Sequence, residues 1–273
     1  MTDVTAGCSL AFDVERAAEI VLQVAAARRP GVRVSDDLGV RLDGEPVPVT
    51  LVETGDGGRL HTVRSEPGRL EITYEAHASL AAEPARVTPL ERVVSMRPSR
   101  YCPSDRMLGF ALRQFGPVDP FDAEAVAGAV ARVVAYVHEH TEYRAGASTG
   151  STDAADTLLA GAGVCRDFAH LVATLVRALD IPARTAAVYA PGLSPMDFHA
   201  VAEVAIGGVW RVVDATRLAP RPSLLRIATG PDAATTAFAT VQSGLAELST
   251  MEVHAIAGGD LPFDDGTSPV SLP

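Results

Sequence analysis

The sequence predicts an α+β fold, in which an N-terminal antiparallel β module precedes a core of helices packed against a second antiparallel sheet. Three observations support this prediction. Turn signals recur at short spacing before residue 80, helical periodicity then continues to about residue 179, and strand-like runs with a Gly-Gly turn follow. We therefore divide the chain into a β-sandwich-like module, residues 1–80, and a core, residues 81–273.

The N-terminal module is indicated by short β-rich runs between turn signals. The clearest runs are residues 20–24 and 70–76, and segments such as Arg29-Pro30-Gly31 and Glu66-Pro67-Gly68 supply the turns. Several short strands at such spacing are typical of a small antiparallel sandwich or barrel. The module has no cluster of titratable residues, so we expect it to pack against the core or to present substrate.

The composition places the chain among soluble globular proteins. Hydrophobic residues make up 47% of it and charged residues 21%, which excludes a disordered chain. The net charge is −11 and no basic stripe occurs, so we expect no nucleic-acid partner. The sequence has no stretch of about 20 apolar residues and no apolar leader segment. We therefore expect a cytoplasmic protein without a membrane partner.

The cysteines and histidines do not form a metal-binding pattern. Cys8, Cys102 and Cys165 are too few and too scattered for a disulfide framework, and no CxxC pair occurs. His138 and His140 are two residues apart, which puts them on different sides of a helix. We therefore expect no metal and no cofactor.

Three helices are predicted between the module and the most informative part of the chain. They span residues 104–114, 120–140 and 151–159, and each begins at a segment with typical N-terminal residues such as Ser, Asp or Pro. The third helix ends at Gly161-Ala162-Gly163, because closely spaced glycines interrupt a helix.

Cys165 lies at the start of a predicted helix that runs to about Leu179. The apolar residues of this helix repeat with helical period, and Cys165 precedes Phe168 and Ala169 by three and four residues, so it lies on their face. A thiol at a helix N-terminus experiences the positive end of the helix dipole and unpaired backbone N–H groups. Both favour the nucleophilic thiolate, and the same N–H groups can hold an oxyanion.

His199 and Asp214 lie near the open end of a predicted β-hairpin. Strand-like runs at 198–206 and 209–214 are separated by Gly207-Gly208, a typical two-residue hairpin turn. His199 is eight residues before Gly207 and Asp214 is six after Gly208. Because this offset is even, the two side chains can share one face, and two further loop residues or a bulge would bring them level. The sequence thus combines a thiol, a histidine base and an orienting carboxylate.

Three segments resemble the motifs of the transglutaminase-like superfamily core. They are residues 163–170 (GVCRDFAH), 198–204 (FHAVAEV) and 210–216 (WRVVDAT). The resemblance implies a papain-like or transglutaminase-like fold for the core, with Cys165 as nucleophile, His199 as base and Asp214 as the orienter of the base. Bacterial members are often described as candidate cysteine proteases. No acidic loop cluster resembles the calcium sites of animal transglutaminases, so no calcium requirement is implied.

The resemblance implies thiol acyl chemistry and leaves the acyl acceptor open. We expect hydrolysis of a peptide, isopeptide or amide bond through an acyl-thioester. The alternatives are an amine-transferring, cross-linking transglutaminase and a non-catalytic peptide-binding module that keeps the cleft. Candidates for a second oxyanion donor are the Tyr101 hydroxyl and the Gln114 amide. Asp167, in the first turn of the cysteine helix, is expected to compensate the helix dipole.

Overall fold

The computed structural model describes residues 2–81 and 84–273, and its first part is almost entirely β-structure. The strands of this part are β1 (Thr2–Leu22), β2 (Val32–Leu42), β3 (Glu45–Pro46), β4 (Val49–Glu53), β5 (Arg59–Ser65) and β6 (Gly68–Leu80). Buried and exposed residues alternate along β6, as in a strand with one face on the core.

The second part combines helices with shorter strands. Its helices are α1 (Pro89–Val94), α2 (Leu108–Phe115), α3 (Ala123–His140), α4 (Ala154–Ala160), α5 (Cys165–Arg177) and α6 (Ala233–Thr236). Its strands are β7 (Glu142–Tyr143), β8 (Ala162–Gly163), β9 (Ala183–Tyr189), β10 (His199–Ile206), β11 (Val209–Val213), β12 (Leu225–Gly230) and β13 (Ala239–Ala257). The helices predicted from the sequence correspond to α2, α3, α4 and α5. Side-chain oxygens of Asp122 and Asp153 cap α3 and α4.

The N-terminal sheet has seven strands in the order β3-β2-β6-β1-β5-β4, with β13 also paired to β1. Strand β1 pairs with β6 along its first part and with β5 at its end, and β13 accompanies it almost throughout. The buried side chains of β1, β5 and β6 form one hydrophobic cluster. The structure therefore confirms an antiparallel β module at the N-terminus.

The position of strand β13 does not agree with the predicted division of the chain, because that division assigned all of residues 81–273 to the core. Its pairing with β1 runs from Val4 opposite Ala257 to Leu22 opposite Ala239, so the C-terminal strand belongs to the N-terminal sheet. The physical reason is that β13 completes a sheet whose other strands come from the opposite end of the chain. Local periodicity carries no signal of such long-range pairing.

The core consists of a four-stranded antiparallel sheet, in the order β11-β10-β9-β12, and the helices packed on it. Helix α5 lies against β9 and β10 and is covered by α3 and α4. Every residue of α5 from Asp167 to Arg177 is buried. This helix therefore occupies the centre of the core, and only its first residues approach the surface.

The N-terminal module packs directly on the core sheet. Tyr189 of β9 and Ile227 of β12 belong to the same hydrophobic cluster as the buried side of the module. The rings of Tyr74 and Tyr189 stack with centroids 6.2 Å apart, and the Tyr189 hydroxyl donates a hydrogen bond to the Val24 oxygen at 2.8 Å. The two parts of the chain thus share one continuous interior.

A buried ion cluster joins three strands of the core sheet to α1. Glu203 of β10 accepts hydrogen bonds at 2.7–2.8 Å from Arg184 of β9 and Arg226 of β12. Arg184 also donates to Glu91 of α1 at 2.7 Å and lies over the ring of Trp210. Burial raises the pKa of the Glu203 carboxyl, but the two arginines lower it by more, to about 2.

Replacement of Glu203 by alanine should destabilise the protein, because it leaves two buried guanidinium groups without their carboxylate. We expect the free energy of unfolding, measured by urea denaturation, to fall by about 3–5 kcal/mol. The exposed carboxylate of Glu247 on β13 provides the matched control, and Glu247→Ala should change stability by less than about 0.5 kcal/mol. Similar small effects of both variants would contradict a structural role for the cluster.

Candidate active site

Cys165 is the first residue of α5 and opens onto a cleft. The left-handed residue Gly161 (φ 61°) ends α4 and turns the chain into β8, which pairs with β7 and leads into α5. The Cys165 Sγ lies 3.9 Å from the backbone oxygen of Phe198, the residue before His199. Cys165 is half-buried, and the backbone N–H groups of the first turn of a helix have no partner within the helix.

Asp167 fixes the start of α5. Its fully buried carboxylate accepts the Val164 N–H at 2.9 Å and further hydrogen bonds from Arg166 and Ser148. Arg166 in turn donates to the Thr149 backbone oxygen at 2.9 Å. A carboxylate in the first turn is favourable beside the helix dipole, and here it also ties the preceding loop to the helix.

The hairpin that carries His199 and Asp214 has the predicted two-residue turn. Ala202 pairs with Val213, and the pairing from there to the turn is regular. His199 and Asp214 therefore lie on one face, a diagonal step apart, and neither extra loop residues nor a bulge brings them level. The imidazole spans this offset, since its Nε2 lies 2.8 Å from the Asp214 Oδ2.

Thr216 holds the second oxygen of the Asp214 carboxylate. Its backbone N–H and its hydroxyl both donate to Oδ1, at 2.9 and 2.8 Å. Burial raises the pKa of Asp214, but His199 and the Thr216 hydrogen bonds lower it by more. Asp214 is therefore a buried anion. Thr216 stands in the third sequence motif, but nothing in the spacing indicated this role.

His199 is buried, and its Nδ1 has no hydrogen-bond partner among the residues that the structure describes. Burial lowers the pKa of His199, but the Asp214 carboxylate and then the Cys165 thiol raise it by more, so the net pKa lies above the usual histidine value. The Asp214 anion therefore favours the protonated form of the imidazole. Nδ1 is the nitrogen that remains available to exchange a proton with a thiol.

Cys165 and His199 line one cleft of about 380 Å³ between the core and the N-terminal module. Asp214 lies behind His199 and does not reach the cleft. Polar groups at the cleft include Tyr101, Arg166 and Asp197. The other large side chains around it are apolar: Phe198, Ile227, Phe238 and Met251.

The two predicted candidates for a second oxyanion donor are not placed for that role. Tyr101 lines the cleft, but its hydroxyl donates to the Gly150 oxygen at 2.7 Å and its ring stacks on His170. Gln114 is exposed on α2 and does not line the cleft. Both hypotheses were wrong, because the sequence does not show where the segments that precede α5 lie relative to its first turn.

Tyr143 is a residue of the site that sequence reasoning missed. It pairs with Gly163 through β7 and β8, and its ring contacts that of Phe168 with centroids 6.0 Å apart. Burial raises the pKa of the Tyr143 hydroxyl, and negative charge on Cys165 and Asp197 raises it further, to about 12. A single tyrosine in a two-residue strand gives no periodic signal that could have identified it.

Residues 119–215 match the sequence model of the transglutaminase-like superfamily, and this range contains Cys165, His199 and Asp214. This part of the chain resembles the core of that superfamily. Among curated proteins, none matches the chain. The matched range begins before α3 and ends directly after Asp214, so it contains α5 and the hairpin that carry these three residues. Other residues of the cleft, among them Phe238 and Met251, lie outside it.

A solved structure resembles the chain well beyond residues 119–215. A candidate cysteine protease from Cytophaga hutchinsonii matches 98% of this chain and 96% of its own, with a TM-score of 0.88 and 29% identity. The periplasmic domain of TgpA from Pseudomonas aeruginosa gives a TM-score of 0.41 at 17% identity, over 76% of this chain and 87% of that one. A candidate protease from Parabacteroides distasonis gives 0.31 at 15% identity, over 72% and 46%. The family model and the first match together support a thiol-dependent enzyme.

Neither a membrane-spanning helix nor a metal-binding cluster occurs in residues 2–81 and 84–273. Within these ranges, no helix is long and apolar enough to cross a membrane. The same ranges contain no group of three or more His, Cys, Asp or Glu side chains that could hold a metal ion.

Cys165 should react with alkylating agents before the other two thiols. Burial raises the pKa of both Cys8 and Cys102 to about 11, whereas Cys165 is half-buried and lines the cleft. After brief treatment with iodoacetamide near neutral pH, peptide mass spectrometry should find label on Cys165 first. In urea, all three thiols should react at similar rates. Earlier labelling of Cys102 in the folded protein would contradict the placement of the site.

Proposed function

We propose that the protein is a cysteine hydrolase that cleaves a peptide, isopeptide or amide bond through an acyl-thioester on Cys165. One observation carries the proposal. The cleft that holds the Cys165 thiol also holds His199, and the Nε2 of His199 lies 2.8 Å from the buried carboxylate of Asp214. A nucleophile, a base and a group that orients the base are the parts that acyl transfer requires.

In the acylation step, His199 accepts the thiol proton on Nδ1 and the thiolate attacks the carbonyl carbon of the substrate. The new C–S bond converts the carbonyl oxygen into an oxyanion. When this intermediate collapses, the C–N bond breaks and His199 returns the proton to the leaving amine. Asp214 keeps a proton on Nε2 throughout, so that Nδ1 alternates between acceptor and donor.

The oxyanion forms at the N-terminus of α5. The Cys165 backbone N–H, which has no partner within the helix, supplies one donor. We assign the Tyr143 hydroxyl as the second donor, because the pairing of β7 with β8 and the contact with Phe168 hold this residue beside the first turn of α5. The Arg166 guanidinium is engaged by Asp167 and Thr149 and takes no part.

In the deacylation step, His199 takes a proton from water and the resulting hydroxide attacks the thioester carbon. The C–S bond then breaks, the carboxylic acid is released and His199 returns the proton to the sulfur of Cys165. An amine-transferring enzyme would share the acylation step and differ only in the nucleophile of this second step. Hydrolysis is supported by the likeness, over nearly the whole chain, to a structure described as a candidate cysteine protease.

Substitutions in the three proposed catalytic positions should separate their roles in the hydrolysis of a fluorogenic peptide amide. Cys165→Ala should abolish turnover, and His199→Ala should nearly do so, because the nucleophile and the base have no substitute. Asp214→Asn should retain the fold and lower kcat by about three to four orders of magnitude, since an amide no longer fixes the tautomer of His199. A smaller loss would indicate that thiolate and imidazolium rest as a preformed ion pair.

The control for these variants is Asp260→Asn, which changes an exposed aspartate outside the cleft and should leave turnover unaltered. Wild-type turnover in His199→Ala, with Cys165 still required, would contradict the proposed roles. Addition of a primary amine tests the acceptor. If the product masses show that most of the acyl group is transferred to the amine, hydrolysis is refuted, but the proposed acyl-thioester intermediate still holds. The chain contains no lysine, so the enzyme offers no lysine side chain as an acceptor.

The raised pKa of His199 depends on Asp214 and should fall when the carboxylate is removed. The cation of His199 is stabilised by the Asp214 anion, so Asp214→Asn should shift the pKa of the imidazole downward, towards or below the usual value. An NMR titration can follow the imidazole signals, and the His199 signal among those of the seven histidines is identified by its loss in His199→Gln. An unchanged or higher pKa in Asp214→Asn would contradict the electrostatic coupling.

A further inference from the structure

We propose that the cleft binds a large apolar side chain of the acyl donor, such as that of leucine, methionine or phenylalanine, and that strand β13 forms one of its walls. This inference rests on the proposed function and names the substrate class of the same site. It gives the C-terminal strand, which belongs to the N-terminal sheet, a direct part in substrate selection.

The apolar surface of the cleft begins at the nucleophile. The backbone oxygen of Phe198 lies 3.9 Å from the Cys165 Sγ, and the Phe198 ring stacks on that of Phe238 with centroids 4.9 Å apart. Ala187 of β9 supplies further apolar surface from the core sheet, and the fully buried Ile227 of β12 lies behind the cleft. A substrate whose carbonyl is attacked by Cys165 therefore places a neighbouring side chain against this surface.

Met251 completes the cleft from the side of the N-terminal module. It pairs with Leu10 of β1, and opposite residues of an antiparallel pair lie on the same face of the sheet. Leu10 is fully buried in the core of the module, yet Met251 is 38% exposed, because it lies where that face meets the cleft. A flexible, polarisable methionine side chain adapts readily to an apolar ligand.

The apolar part of the cleft offers no partner for a charged side chain of the substrate, because the charged groups of the protein nearby are already engaged or face solvent. Arg166 is held by Asp167 and Thr149, and His199 is paired with Asp214. The Asp197 carboxylate accepts the N–H of Phe198, and Asp197 is exposed to solvent. A charged or amide side chain placed against Phe198 and Phe238 would lose water without gaining hydrogen bonds, which is unfavourable. A volume of about 380 Å³ is within the range of sites that hold small ligands.

A positional library of fluorogenic peptide amides tests the proposal on the full chain. At one position close to the scissile bond, peptides with leucine, methionine or phenylalanine should have a kcat/KM about tenfold to a hundredfold above those with aspartate, lysine or glutamine. Equal rates for apolar and charged residues at every position would overturn the inference, while turnover that depends on Cys165 would still support the proposed hydrolase. Absence of turnover on every member, together with thiol labelling that shows no preference for Cys165, would instead refute the proposed function.

The substitution Met251→Asp examines the wall formed by β13. It should lower kcat/KM for the preferred apolar peptides about tenfold or more and raise it for peptides with lysine or arginine at the same position. The matched control is Leu245→Asp on the same strand, where the leucine is 42% exposed and lies outside the cleft. This variant should change kcat/KM by no more than about twofold, for the apolar and for the basic peptides alike. Alkylation of Cys165 by iodoacetamide, which is too small to need the apolar surface, should proceed equally in both variants. Equal peptide preferences in Met251→Asp and the wild type, with equal alkylation, would contradict a wall formed by β13.

Discussion

The two-residue turn at Gly207-Gly208 fixes the register of β10 against β11, and the chemistry of the site depends on that register. Both glycines have a positive φ, 60° and 75°, which suits the tight hairpin turn and is unfavourable for other residues. Side chains alternate between the two faces of a strand, so a slip of one residue would move Asp214 to the face opposite His199. The buried imidazole would then lose the carboxylate that stabilises its charge.

The residues and elements around the hairpin hold His199 and Asp214 in place. Burying a carboxylate costs free energy unless hydrogen bonds satisfy both oxygens, and here His199 takes one oxygen and Thr216 the other. Glu203, on the same strand as His199, anchors β10 through two arginines to the adjacent strand β9 and to β12, which lies beyond β9. Helix α5 packs across β9 and β10, which brings its N-terminal residue to the His199 end of the hairpin. The N-terminal module then closes the cleft through the strand that returns to it from the C-terminus.

Much of this arrangement could be predicted from the sequence because its signals are local. The apolar period of α5, the Gly-Gly turn and the even offset between His199 and Asp214 placed a thiol, a base and a carboxylate on the correct elements. The position of β13 could not be predicted, since its partner β1 lies at the other end of the chain and most of its residues are exposed. Tyr143 was missed for a related reason: it reaches the first turn of α5 through a two-residue parallel pairing that has no periodic pattern.

The central claim is that Cys165 becomes acylated with the help of His199, and it is tested most directly by trapping the intermediate. The enzyme is mixed with an activated peptide ester, quenched in acid after milliseconds to seconds, and analysed as intact protein and as peptides by mass spectrometry. Our account predicts a mass increase equal to that of the acyl group, located on Cys165, labile to hydroxylamine and formed much more slowly in His199→Ala. Turnover of the ester without any acyl group on Cys165, or an acyl group on another residue, would contradict it.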